Sequence, residues 1–284
     1  MKRGKCKLCL DLADLQRSHY LGKAFYRLSS TDGDRPILIS PKLIIQDQKQ
    51  IKDYMLCREC EQRFSRMGED YVTGMVNRPD GFKMLELVRA NPTWRAVGEN
   101  RVYSAAHVDV DTDQLAFFAL SVIWRGAHVW RTFGNRATGG LDLGAIGEKL
   151  RRYLVGFDPF PREATVKVSA ACDIYSQESI LFPRHNPDQT DATVFTFMTR
   201  GIWFDVGLGD DLPGYMYDSC CIRSPERLIF SGNFDRFVEY EFVSSRQTAE
   251  LAKKLRRADA DSMGCQATPP GPRSPRMANS RRPH

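Results

Sequence analysis

Two C-x2-C pairs constrain this chain more than any other feature. Cys6 and Cys9 stand in "KCKLCL", Cys57 and Cys60 in "LCREC", and 47 residues separate the pairs. A C-x2-C turn aims both sulfurs at one point, and two such turns complete a tetrahedron around a metal ion. Four soft thiolates favour Zn²⁺, with iron in the same geometry as the main competitor. Free core cysteines or a redox pair are the remaining readings. Four cysteines fill a tetrahedral site, so a zinc here is structural: it staples a short segment and leaves no open position for substrate. Cys172, Cys220, Cys221 and Cys265 lack the spacing and read as ordinary buried or tail thiols.

Such a staple has to sit inside a larger fold. The chain has 284 residues, enough for one large domain or two modest ones. Its longest apolar run, "LAFFALSVIW", is too short to span a bilayer. The N-terminus is basic but has no apolar h-region, so neither membrane insertion nor secretion is expected and the expected location is cytoplasmic. The net charge of +6 is uneven. Residues 1–70 hold 14 Lys/Arg against 10 Asp/Glu, 71–245 hold 18 against 22, and 246–284 hold 9 against 3. A polyanionic partner would meet the two ends first, although a solvated basic surface accounts for the same charge.

The expected class is α+β: a small N-terminal treble-clef module, ββα-like, over residues 1–75, followed by a body of helices and antiparallel sheet over 76–262. Within the cysteine module "PILISPKLIIQDQ" reads as one or two short strands, and "RECEQRFSRMGEDYV" as a helix with Phe64, Met67 and Tyr71 on one face. The first part of the body, 76–158, reads as mainly helical. It holds "DGFKMLELVRA", the apolar "DTDQLAFFALSVIWRGAHVWRTF" capped by Asp111 or Thr112, and "GLDLGAIGEKLRRYLVG". The second part, 159–262, is strand-rich through "ATVKVSAACDIY", "ATVFTFMTRGIWFDVGLG" and "ERLIFSG", with a closing helix near 235–258. Residues 263–284, rich in Pro, Arg and Ser, read as a disordered basic tail. "GLGDDLPG" does not fit a phosphate-binding loop and reads as a turn.

"CKLCLDLADLQRSHYLGKAFYR" together with "LCRECEQRF" resembles the zinc-bearing branch of the HNH endonucleases. More closely, it resembles bacterial proteins with Ser-His, a hydrophobic residue and Lys-x-Phe-Tyr-Arg between the knuckles, a group to which "SVIWRGA" and "LRRYL" also belong. The resemblance covers roughly residues 1–70. It implies phosphodiester hydrolysis by an HNH-type endonuclease, with His19 as the general base and Mg²⁺ as the catalytic cation. Ser18 stands where the family has a carboxylate or histidine ligand, Glu61 where it has Asn, and the family's last histidine has no counterpart. Glu61, with Glu69 or Asp70, is then the expected Mg²⁺ carboxylate.

The residues also allow a different class, a zinc finger that binds nucleic acid or protein without cutting. DNA or RNA is the expected partner, gripped by Arg17, Lys23 and Arg27 with Lys2, Arg3, Lys5 and Lys7, while Tyr20, Phe25 and Tyr26 offer rings for stacking. In that reading His19 packs beside the knuckle, and Glu61 is a first-turn acid favoured by the helix dipole. His128 reads as a satisfied core residue; His107 and His185 have no nameable partner.

Overall fold

Five strands of the C-terminal half, buried along most of their length, build the centre of the largest element. In a computed structural model, residues 2–28, 37–40, 43–46, 51–131, 137–185, 193–220 and 226–238 are described. They include a nine-stranded sheet in the order Leu43–Gln46, Ile37–Ser40, Ser179–His185, Thr193–Thr199, Ile202–Leu208, Ala164–Ala171, Leu228–Gly232, Asn100–Ser104 and Arg95–Val97. Most neighbours are antiparallel. Ala164–Ala171 runs parallel to Leu228–Gly232, and Ser179–His185 parallel to Ile37–Ser40. The central hairpin turns through Arg200 and Gly201, at φ +41° and +92°. That is the pair of left-handed residues a tight two-residue hairpin needs. Val166, Val168, Phe197 and Phe204 project from one sheet face into the main core.

Onto that face packs the helix Thr112–Gly126. Asp111 caps it, its side chain accepting from the backbone N–H groups of Asp113 and Gln114. Thirteen of its 15 residues are buried, as expected of a helix apolar on all sides. Phe118 meets Phe197 and Phe204 of the sheet at ring separations of 6.2 and 5.6 Å. On the opposite side Phe117 meets Phe64 of the cysteine module at 6.0 Å. One apolar core therefore runs from Leu8 in the first knuckle to Ile229 in the sheet. The whole is α+β, with the cysteine cluster at its N-terminal end. Among the described residues no helix is long and apolar enough to cross a membrane.

Several expectations need correction. The strands Ile37–Ser40 and Leu43–Gln46, read as part of the cysteine module, extend the edge of the large sheet instead. The strand Ser179–His185 was not foreseen. Pro183 interrupts its pattern, and the pairing register shifts there, between Leu181 and Arg184. Tyr20, Phe25 and Tyr26 are core residues, not stacking platforms. Residues 235–238 are helical. The rest of the closing helix and the tail 263–284 lie outside the described residues.

The helix after the second knuckle is not uniform. Arg58–Phe64 and Asp70–Met75 are α-helical, and Ser65–Glu69 between them is a π turn. Cys60, Phe64, Gly68 and Val72, spaced by four, are the buried column, while Met67 is exposed. At 3.6 residues per turn a spacing of four drifts by roughly 40° per step, about 120° over three steps. The wider π turn takes up that drift, acting as a one-residue insertion. This is why the Phe64–Met67–Tyr71 face, drawn for a regular helix, is not the one that packs.

Gly68 is where this helix crosses Thr112–Gly126. A Cβ there would lie 2.9 Å from Phe118 Cβ and 3.0 Å from its backbone, whereas a Cβ on Gly74 would meet nothing within 4 Å. Gly68→Ala is expected to destabilise the fold by about 1–3 kcal/mol through overpacking. Gly74→Ala should gain up to about 1 kcal/mol from helix propensity. Thermal unfolding of both variants checks this; midpoints that move in the same direction would refute the crossing constraint.

Candidate metal centre and adjoining cleft

The first knuckle joins the hairpin strands Lys2–Lys5 and Leu12–His19. Its turn closes through Leu10 N–H to the Cys6 carbonyl and Cys6 N–H to the Asp11 carbonyl, with Leu10 in the left-handed region at φ +71°. The strand Lys52–Cys57 pairs antiparallel with Leu12–His19 and runs directly into the helix Arg58–Phe64, which Cys57 precedes as its cap residue. Hairpin, third strand and helix thus bring the two knuckles together as a treble clef does. All four sulfurs lie within 4.8 Å of one another, close enough to hold one metal ion. Among the described residues this is the one such group of His, Cys, Asp and Glu.

The surroundings of the sulfurs favour the thiolate at Cys6 alone. Cys57 N–H donates to Cys6 Sγ at 3.3 Å. Cys6 is held down at about 4, first by the hydrogen bond from the Cys60 thiol and then by backbone N–H groups. Burial pushes Cys9 up to about 12 and raises Cys57, while Cys60 is raised by donating to Cys6. A dication would collect all four and release protons on binding. Cys220 is fully buried in the core around the sheet and Cys172 packs against it; Cys221 and Cys265 lie outside the described residues.

Beside the cluster opens a cleft of about 360 Å³. His19, at the end of its strand, lines one side with Gly22, Lys23 and Arg27. Glu61, Ser65, Glu69 and Thr73 line the other. These four are again spaced by four, the column next to the buried one. In a regular helix Glu61 and Glu69 would point roughly 80° apart; the π turn brings them to within about 20°. Asp70 joins the same lining. The cleft therefore unites His19, Glu61, Lys23 and Arg27, four of the expected site residues, and sets the two acids Glu69 and Asp70 beside them. Arg17 is exposed on the strand Leu12–His19, opposite Tyr54, and is not part of the lining.

Glu61 is the acid placed deepest. Burial raises its pKa, opposed by the Arg125 charge and by the Ser18 hydroxyl. Its Oε1 is buried and has no hydrogen-bond partner among the described residues. Ser18 is itself buried, and its Oγ accepts from Leu56 N–H at 3.1 Å. Ser18 thus supports Glu61 and braces the strand pair.

Sequence reasoning gave Arg125 no role. It closes an otherwise apolar helix, and its buried guanidinium pairs with Glu69 and donates to the carbonyls of Tyr20 and His19, at 3.1 and 3.4 Å. A lone charge at the end of an apolar run was the available signal. His128 packs edge-on against Trp124 at 4.7 Å, but its Nε2 is buried without a partner among the described residues, so it is packed without being satisfied. His107 ends a short 3-10 turn, and the His185 ring meets Phe195 edge-on at 5.9 Å.

Comparison of the chain with family models, curated proteins and solved structures finds no match.

Protein purified without added metal should carry about one equivalent of tightly held metal by elemental analysis. Cys57→Ser should lose it and unfold the N-terminal segment. Less than about a tenth of an equivalent, with four freely titrating thiols in folded protein, would overturn the assignment.

Proposed function

We propose that the four cysteines hold a structural zinc and that the adjoining cleft hydrolyses phosphodiester bonds of nucleic acid with a divalent cation, in the manner of an HNH-like nuclease. The observation that supports this reading is the meeting, in one cleft beside the four sulfurs, of an imidazole, carboxylates and two cations. His19 is suited to accept a proton from the attacking water, because an imidazole titrates near neutral pH. Lys23 and Arg27, four apart on the short helix Lys23–Leu28, are exposed on the same side and would hold phosphate oxygens.

The cation's donors would be Glu61 and Glu69, with Asp70 at the rim. The fit is chemical: hard carboxylate oxygens, one of them buried without a partner, in a cleft wide enough for retained waters, as Mg²⁺ prefers. When bound, such an ion stabilises charge developing on the phosphate and the leaving oxygen.

Ser18 favours a second reading. Where a nuclease of this type presents a metal ligand, this chain has a buried hydroxyl already engaged with Leu56 and Glu61. A module that grips nucleic acid, or a protein partner, without cutting it would tolerate that exchange.

The deciding experiment incubates plasmid DNA, single-stranded DNA and RNA with zinc-loaded protein, with and without Mg²⁺ or Mn²⁺. On the nuclease reading one of them is cut only with the divalent ion. His19→Ala then lowers the rate by about a hundred- to ten-thousand-fold at unchanged zinc content and affinity. Glu61→Gln raises the Mg²⁺ concentration needed. Salt-sensitive binding without cleavage would instead establish the binding module.

A further inference from the structure

Arg125 is an expensive residue in its position. It is 1% exposed, at the end of a helix whose other buried residues are all uncharged. An apolar side chain would pack there without the desolvation cost. Its guanidinium instead reaches both walls of the cleft. Nη1 donates to the carbonyls of His19 and Tyr20, where the His19 strand ends, and Nη2 pairs with the Glu69 carboxylate on the π turn. The Cζ lies 4.6 Å from the centre of the Phe64 ring, which supports the fork from the knuckle helix. Glu69 is confined from the other side as well. A Cβ on Gly22 would sit 3.0 Å from Glu69 Oε2, so a larger residue there would press on the carboxylate.

We propose that Arg125 is the positioning residue of the cleft: one guanidinium from the body helix sets the span between the strand end that carries His19 and the carboxylate of Glu69. The inference rests on the nuclease reading of the cleft. It adds that the two walls, which come from separate segments on either side of the strand Lys52–Cys57, are held at working distance by a third element. A planar fork with several donors does this. A lysine keeps the charge but has a single ammonium on a flexible stem, and it cannot serve two carbonyls and a carboxylate in one fixed geometry.

The test uses full-length, zinc-loaded Arg125→Lys. Hydrogen exchange should speed up at least tenfold at the amides of 19–23 and 65–69, and stay unchanged at 57–60. With Mn²⁺ and the nucleic acid that the wild type cuts, kcat per folded molecule should fall tenfold or more and KM should stay within twofold. The Mn²⁺ needed for half-maximal rate should rise at least fivefold. A merely structural arginine would lower the melting temperature and the folded fraction but leave kcat per folded molecule and the Mn²⁺ requirement untouched; that result overturns the proposal. So does unchanged exchange in both walls. Should Arg125→Lys fail to fold, Glu69→Ala removes the same tie from its more accessible end and is read by exchange alone, with the same two outcomes. If the wild type neither cuts nor binds Mn²⁺, the nuclease reading falls by itself, and the exchange data still decide whether Arg125 joins the walls.

Discussion

The convergence of four sulfurs within 4.8 Å is the constraint on which the N-terminal part depends. It brings together two chain segments that lie 47 residues apart in sequence. Once Cys57 and Cys60 are aimed at the same point as Cys6 and Cys9, the start and direction of the following helix are set. Glu61 is the next residue on that helix, and His19 ends the strand that pairs with the one leading to Cys57. The cleft is thus a geometric by-product of the staple: its two walls are the strand and the helix that the sulfurs tie together.

The staple does not complete the cleft. The knuckle helix and the nine-stranded sheet both pack on the central helix Thr112–Gly126, through Phe64 and Phe117 on one side and Phe118, Phe197 and Phe204 on the other. Gly68 lets the helices approach until their backbones nearly touch. At that closeness the end of the central helix lies under the cleft, and Arg125 reaches both walls. Apolar packing sets the distance, and a buried ion pair with two carbonyl contacts uses it. Buried charge is retained where hydrogen bonds compensate its desolvation, and here Arg125 donates to the carbonyls of His19 and Tyr20 and pairs with Glu69, over the Phe64 ring.

Much of this was legible in the sequence because the signals were local. The paired cysteines declared the cluster, Asp111 declared the start of the apolar helix, and runs of β-branched and aromatic residues declared the strands from Ala164 onward. What escaped depended on partners far away. The edge strand Ile37–Ser40 joins the body because Ser179–His185 offers it an open edge, and nothing near residue 37 says so. The π turn follows from the crossing at Gly68, since a spacing of four keeps both the buried and the cleft-lining columns straight. Phe25 and Tyr26, read as rings for stacking, are buried because the short helix Lys23–Leu28 folds them inward. Within the site, His19 and Glu61 were visible by their positions relative to the knuckles. Arg125 was not, because its meaning lies in acceptors 105 and 106 residues away.

The placement of that arginine has a consequence for a chain made from its N-terminus. All four sulfurs have been synthesised by residue 60, and Glu61 and Glu69 by residue 69. The guanidinium that pairs with Glu69 is 56 residues further on. At about 5–20 residues per second it follows several seconds later, and the strands against which its helix packs come later still. In that interval the nascent segment has its four sulfurs and its carboxylates, but Arg125 does not yet reach the two walls. Assembly of the cleft is therefore ordered in time: the sulfurs come first, and the guanidinium that reaches both walls follows with the body.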